Sequence, residues 1–173
     1  MGGVPYGRPM AMTADDPRDG LALDAYTARI GPFAPMLPPG LVLEVTLQGD
    51  VIAAAQVKAP PFAQPADASA PAPCAARLLR LLGLPLAARR VAEGRVSRAL
   101  ATRRAVPPGL GATQTHGDVR ARLSDWSAGR AGPDRAPPIS ELLPGLEWHE
   151  AMLVLNSFSP DALRRASAPE AAA

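Results

Sequence analysis

At 173 residues the chain is long enough for one domain with a modest core. Its 47% hydrophobic content is largely alanine and only 4% of residues are aromatic, so that core must rest on leucine and valine. The single cysteine excludes an internal disulfide and any multi-cysteine metal centre, and no apolar run approaches the roughly 20 residues of a membrane-spanning helix.

Formal charge is +2, but it is unevenly placed: residues 1–70 carry four basic and seven acidic side chains, residues 71–173 fourteen and nine. An anionic partner would therefore meet the second half. All basic residues except Lys58 are arginine, a bias that reads first as G+C-rich coding. The opening MGGVPYGRPM lacks the apolar core of a secretory signal, so a cytoplasmic protein is expected.

Residues 1–40 are rich in proline and glycine without sustained periodicity, and read as an irregular arm. Within it Asp15 to Asp24 cluster four carboxylates, but neither the central glycine nor the terminal glutamate of a calcium loop falls in place, so a solvated turn is expected. Residues 41–57 carry the clearest local signal. Leu41, Leu43, Val45 and Leu47 alternate with polar or smaller residues, Gln48-Gly49-Asp50 makes a turn, and the run VIAAAQV follows, predicting a β-hairpin with one buried face. Two strands alone are marginal in water, so a further strand or a helix must cover that face. The helix bearing Leu78, Leu79 and Leu82 is the expected cover.

Residues 58–73 read as an extended Pro/Ala-rich linker, and residues 74–165 as a helical region. Leu78, Leu79, Leu81 and Leu82 stand at helical spacing from about Cys74, with Gly83 and Pro85 ending that helix. A second helix is predicted over Leu86 to Arg104, with Val91, Val96 and Leu100 packing. A third follows Thr115 or Asp118 as cap, with Val119, Leu123 and Trp126 as its stripe and Asp118 paired to Arg122. Ile139 to Leu143 suits one helical turn. The run EAMLVLNSF suits a strand or a buried helix equally. Ser159-Pro160-Asp161 is a helix start, and residues 166–173 are expected to be a disordered tail.

Little in the chain suggests catalysis. His116 and His149 are isolated, Cys74 opens an apolar helix where a thiol packs as a small hydrophobe, and no phosphate-binding glycine loop is present. The one strong functional signal lies between Arg77 and Arg104, where eight arginines accompany one acid, Glu93. No aromatic residue interleaves them, which disfavours single-stranded nucleic acid.

Two segments, GPFAPMLPPGLVLEVTLQGDVIAAAQV (Gly31 to Val57) and LLPGLEWHEAMLVLNSFSP (Leu142 to Pro160), resemble the large subunit shared by respiratory complex I and the membrane-bound [NiFe] hydrogenases. Gly31, Pro32, Pro35 and Gly40 match the loop that in complex I reaches the quinone cavity, but the family's histidine positions fall near Ala34 and Pro38 or Pro39. AARLLRLLGLPLAARRVAEGRVSRALATR is similar to the next helix pair of the family, with arginines where glutamates are usual. At the closing metal motif, Asp161 and Arg164 stand where the cysteine pair would be, and the first CxxC pair is missing too. The resemblance thus implies a degenerate relative that kept packing surfaces and lost its quinone and metal ligands.

The fold expected is α+β: a small β-hairpin or meander packed on a three- to four-helix bundle, with an irregular N-terminal arm. The function expected is that of a non-catalytic accessory or structural protein, without cofactor or metal. Its partner would be a protein, such as a subunit of a redox complex, met in the cytoplasm or by peripheral association with the inner face of the membrane. The alternative is an Arg-rich helical adaptor for an acidic protein, nucleic acid or anionic membrane surface. Its contacts would be Arg77, Arg80, Arg89, Arg90, Arg95, Arg98, Arg103 and Arg104.

Overall fold

The computed structural model describes residues 13–15, 22–35, 37–95 and 104–167. Mixed α/β architecture is seen, in line with the α+β expectation. Strands β1 (Thr13–Asp15), β2 (Ala22–Ile30), β3 (Val42–Gln48) and β4 (Val51–Ala59) form an antiparallel sheet in the order β1-β2-β3-β4. The predicted hairpin is β3–β4, turned by Gly49 at φ 63°. Leu41, Leu43, Val45, Ile52 and Ala55 point into the core, while β-bulges interrupt the β3–β4 register between Val42 and Leu43 and between Thr46 and Leu47. The opposite face is polar: Thr27 and Thr46 share a hydroxyl hydrogen bond of 2.9 Å, and Glu44 is bracketed by Arg29 at 3.4 Å and Lys58 at 2.8 Å.

The stretch read as an irregular arm thus contributes a nine-residue strand, β2. Its sequence ALDAYTARI hides this, because alanines occupy positions where a strand normally declares itself with branched apolar residues. Cross-strand pairing supplies what hydrophobicity does not, Ala28 standing opposite Val45 and Arg29 opposite Glu44. The expected linker is also ordered. A 3₁₀ turn (Ala66–Ser69) leads into α1 (Pro71–Leu81), with Pro71 at the first helical position, where its missing N–H costs nothing.

Helix α1 ends at Gly83, φ 72°, and α2 (Pro85–Ala92) begins with Pro85, as the Gly-x-Pro joint implies. The second helix stops at Gly94, φ 73°, well short of the Arg104 expected. Val96 and Leu100, assigned to its packing face, lie outside the described residues, as do residues 168–173 of the expected 166–173 tail, whereas Ala166 and Ser167 belong to the last helix instead. Asp118 caps α3 (Val119–Ser127) by accepting from the Ala121 N–H at 2.7 Å and from the Gly109 N–H at 2.9 Å. Burial pushes the Asp118 carboxyl up, but these donors and the charges of Arg122 and Arg120 outweigh it and hold its pKa below the usual range. That stabilisation is whole above the ordinary carboxylate value of about 4 and is lost as pH falls through the lowered one.

Helix α4 (Ile139–Leu142) is the predicted single turn. The ambiguous run is helical, α5 (Trp148–Asn156), fixed by a capping box in which Glu150 accepts from the Glu147 N–H at 3.1 Å. Helix α6 (Pro160–Ser167) starts where expected, with the Ser159 hydroxyl accepting from the Ala162 N–H. One core unites Leu43, Val45 and Ile52 of the sheet with Leu78 and Leu79 of α1, Trp126 of α3, and Leu155, Phe158 and Leu163. The helical element set most closely on the sheet is α4, against β4; α1 packs chiefly on α2 and α3. Helix α1 shares that core with the sheet through Leu78 and Leu79, and the turn after α4 adds a backbone attachment to β4, with the Ile52 N–H donating to Leu146 O at 2.9 Å and the Gly145 N–H to Ile52 O at 2.8 Å.

The expected Asp118–Arg122 pair is replaced by a different arrangement. Arg122 is 1% exposed and its guanidinium donates to Ser157 Oγ at 2.9 Å, Gly117 O at 2.7 Å, Gly111 O at 3.1 Å and His116 O at 3.4 Å. The Phe158 ring lies 4.3 Å beneath it. Burial pushes its pKa down to about 10, partly countered by Asp118, so it stays charged at neutral pH. Arg122→Met would orphan these acceptors and should cost at least about 3 kcal/mol in urea unfolding. Arg122→Lys should recover little of it, because an ammonium lacks the planar fork. Val45→Asp places an unpaired charge in the core and should destabilise by on the order of 4 kcal/mol in the same measurement.

Candidate functional site

Two places gather chemically capable side chains. The first is the junction of α1 with the start of α6, where the resemblance would seat metal-binding cysteines. Asp161 accepts a 2.8 Å hydrogen bond from the Ser69 hydroxyl, and buried Cys74 directs its thiol to Ala68 O at 3.6 Å. Arg77 turns inward beside them and donates to Phe158 O at 3.1 Å. Arg164, three residues on from Asp161, is exposed. Sequence separation conceals this meeting, since Ser69 and Asp161 are 92 residues apart.

The electrostatics of this junction oppose nucleophilic chemistry. Burial pushes the Cys74 thiol pKa up, more than the nearby Arg77 lowers it, so the sulfur is held as a neutral thiol. Burial likewise pulls the Arg77 pKa down without reaching neutrality at physiological pH. The histidines are on separate elements: His116 precedes α3, and His149 faces Glu147 on exposed α5 surface at 3.3 Å. Among the described residues no three His, Cys, Asp or Glu side chains converge as metal ligands.

The second place is the outer face of α2. Ala88 and Val91 are buried, whereas Leu86 is 66% exposed and Arg89 and Arg90 stand exposed beside it. Helical geometry puts Arg89 and Arg90 one turn from Leu86, on its side of the helix. Glu93 approaches Arg89 only at 3.8 Å, an exposed pair worth little. Arg80 near the end of α1, Arg95 after α2, and Arg104 are also exposed. Arg98 and Arg103 lie outside the described residues. The eight arginines singled out by sequence therefore divide: Arg77 serves the interior, and Arg80, Arg89, Arg90, Arg95 and Arg104 face solvent.

Sequence reasoning missed Leu86 as an exposed apolar residue and missed Arg122 as a buried one. For Leu86 a signal existed, because helical spacing from buried Ala88 and Val91 turns it outward. Comparison with protein-family models, with curated proteins and with solved structures found no match.

The state of Cys74 gives a direct check. In the native protein near pH 8 a thiol reagent should label Cys74 at least about 100-fold more slowly than in the urea-unfolded chain, because reaction needs an exposed thiolate. Labelling at the unfolded rate would show that the α1–α6 junction is open.

Proposed function

We propose that the chain is a non-catalytic accessory protein that docks on an acidic surface of a protein partner through Leu86, Arg89 and Arg90. The observation that carries this reading is Leu86, 66% exposed amid arginines on a helix whose other face is buried. An exposed leucine flanked by guanidiniums offers a desolvated anchor and a charged rim, the composition of a protein interface. Duplex DNA would use the charge but not the leucine. The resemblance of Gly31 to Val57 and Leu142 to Pro160 to the large subunits of complex I and the [NiFe] hydrogenases is what favours a redox-complex subunit as the partner. The protonated, buried Cys74 and the scattered histidines support a role without chemistry of its own.

A fluorescent glutamate-rich amphipathic helical peptide and a labelled DNA duplex are titrated at low and physiological salt. The peptide should bind saturably at physiological salt, and Leu86→Ala with Arg89→Gln and Arg90→Gln should weaken it at least about tenfold. DNA binding should fall steeply with salt, with a log–log slope near −0.9 per phosphate contact, and should not saturate at physiological salt. Tight DNA binding lost in the same variant, with none to the peptide, would replace the protein partner by nucleic acid.

A further inference from the structure

Only three phenylalanines occur in the chain, and two of them stand in contact on the surface. Phe33 is 76% and Phe62 is 52% exposed, with ring centroids 6.2 Å apart and planes tilted by 56°. The loop that holds them out is closely tied. The Gly40 N–H donates to Pro32 O, Leu37 to Ala34 O, Leu41 to Pro38 O and Phe62 to Pro39 O, all between 2.9 and 3.1 Å. Leu37 and Leu41 root the loop in the core. Gly31 and Gly40 have φ of 111° and 90°, and a Cβ would meet Leu41 O at 2.1 Å in the first and the Phe62 ring at 2.6 Å in the second. The aromatic tip is therefore preorganised rather than left over from folding.

Two features say what this tip fits. Many of its backbone donors are removed or satisfied: positions 32, 35, 38, 39, 60 and 61 are proline, and the four N–H groups just named are bonded within the loop. Removing or satisfying these donors lowers the cost of bringing the tip out of water into a lipid interface. Charge is also segregated along the sheet. Arg29 and Lys58 lie near the strand ends that lead into the tip, and the Glu44 they share leaves the trio net positive. The acids Asp24 and Asp50 lie at the other end, Asp50 in the β3–β4 turn. Asp24 and Ile30 are separated by about 20 Å of strand.

We infer that the Phe33–Phe62 tip is a docking site for an anionic phospholipid surface. The rings enter the interfacial layer, Arg29 and Lys58 face the lipid phosphates, and the acidic end is turned away. No described helix is long and apolar enough to cross a membrane. This surface is distinct from the α2 face assigned to a protein partner.

The test uses the full chain with vesicles of phosphatidylcholine, alone or mixed with phosphatidylserine. Phe33→Trp should shift tryptophan emission to the blue on mixed vesicles and not on phosphatidylcholine alone. Phe33→Ala, at a solvent-exposed position, should weaken vesicle co-sedimentation about tenfold, and Lys58→Gln about fivefold, the latter effect vanishing at high salt. Arg89→Gln with Arg90→Gln should leave vesicle binding unchanged. Absence of the emission shift, or binding that survives Phe33→Ala, would overturn the inference. So would binding lost only in the Arg89/Arg90 variant, which would move lipid to α2, and so would self-association without vesicle binding that Phe33→Ala abolishes, which would make the occupant a second copy.

Discussion

A buried guanidinium, with no carboxylate in contact among the described residues, holds the helical half together. Arg122 leaves α3 and reaches backbone carbonyls of Gly111, His116 and Gly117 on one side and the Ser157 hydroxyl on the other. It thereby fastens the segment before α3 to the joint between α5 and α6. Only arginine combines a permanent charge with five donors in a rigid plane, and three of its nitrogens are engaged here. The fit tolerates little adjustment. Gly111 lies so close to α5 that a Cβ would stand 2.6 Å from Val154 Cγ2, and any side chain would push the Gly111 carbonyl off the guanidinium.

The same joint is gripped from a second direction. Arg77 of α1 donates to the carbonyl of Phe158, whose ring lies beneath Arg122. Residues 157 and 158 are thus fixed by two arginines from two helices, and α6 leaves the joint in the one direction that brings Asp161 to Ser69. The basic excess of residues 71–173 consequently overstates the positive potential at the surface. Part of that charge is structural, carried inward by Arg77 and Arg122, while Arg89 and Arg90 stand exposed beside Leu86.

What the sequence made legible were the features written in local chemistry. The β3–β4 alternation, the Gly83-Pro85 joint, the Asp118 cap and the Ser159 cap each rest on residues within a few positions of one another. What stayed hidden depends on contacts made at long range. β2 lacks an apolar alternation and is held by its pairing with β3. The inward turns of Arg77 and Arg122 contradict the general rule that arginine is exposed, and nothing within their helices marks them. The Phe33–Phe62 contact joins two proline-rich stretches, of which one alone reads as an irregular arm and the other as a linker. The junction of Cys74 with Asp161 was equally invisible from spacing.

The hairpin β3–β4 and the segment that enters α5 are also joined to each other in space. The Trp148 N–H donates to Asp50 O at 2.8 Å, beside the Ile52–Leu146 and Gly145–Ile52 bonds, so the β3–β4 turn is clamped to the entry of α5. Helix α5 then runs to the joint held by Arg77 and Arg122. A continuous path of backbone and buried hydrogen bonds therefore connects the hairpin turn to the helical half. The strand ends remote from that clamp carry the proline loop, so the sheet is held at its acidic end and presents Phe33 and Phe62 from the other. Rigid support at one end and a preorganised apolar tip at the other is the arrangement a docking element needs, because the cost of ordering its contact residues is met during folding rather than at binding.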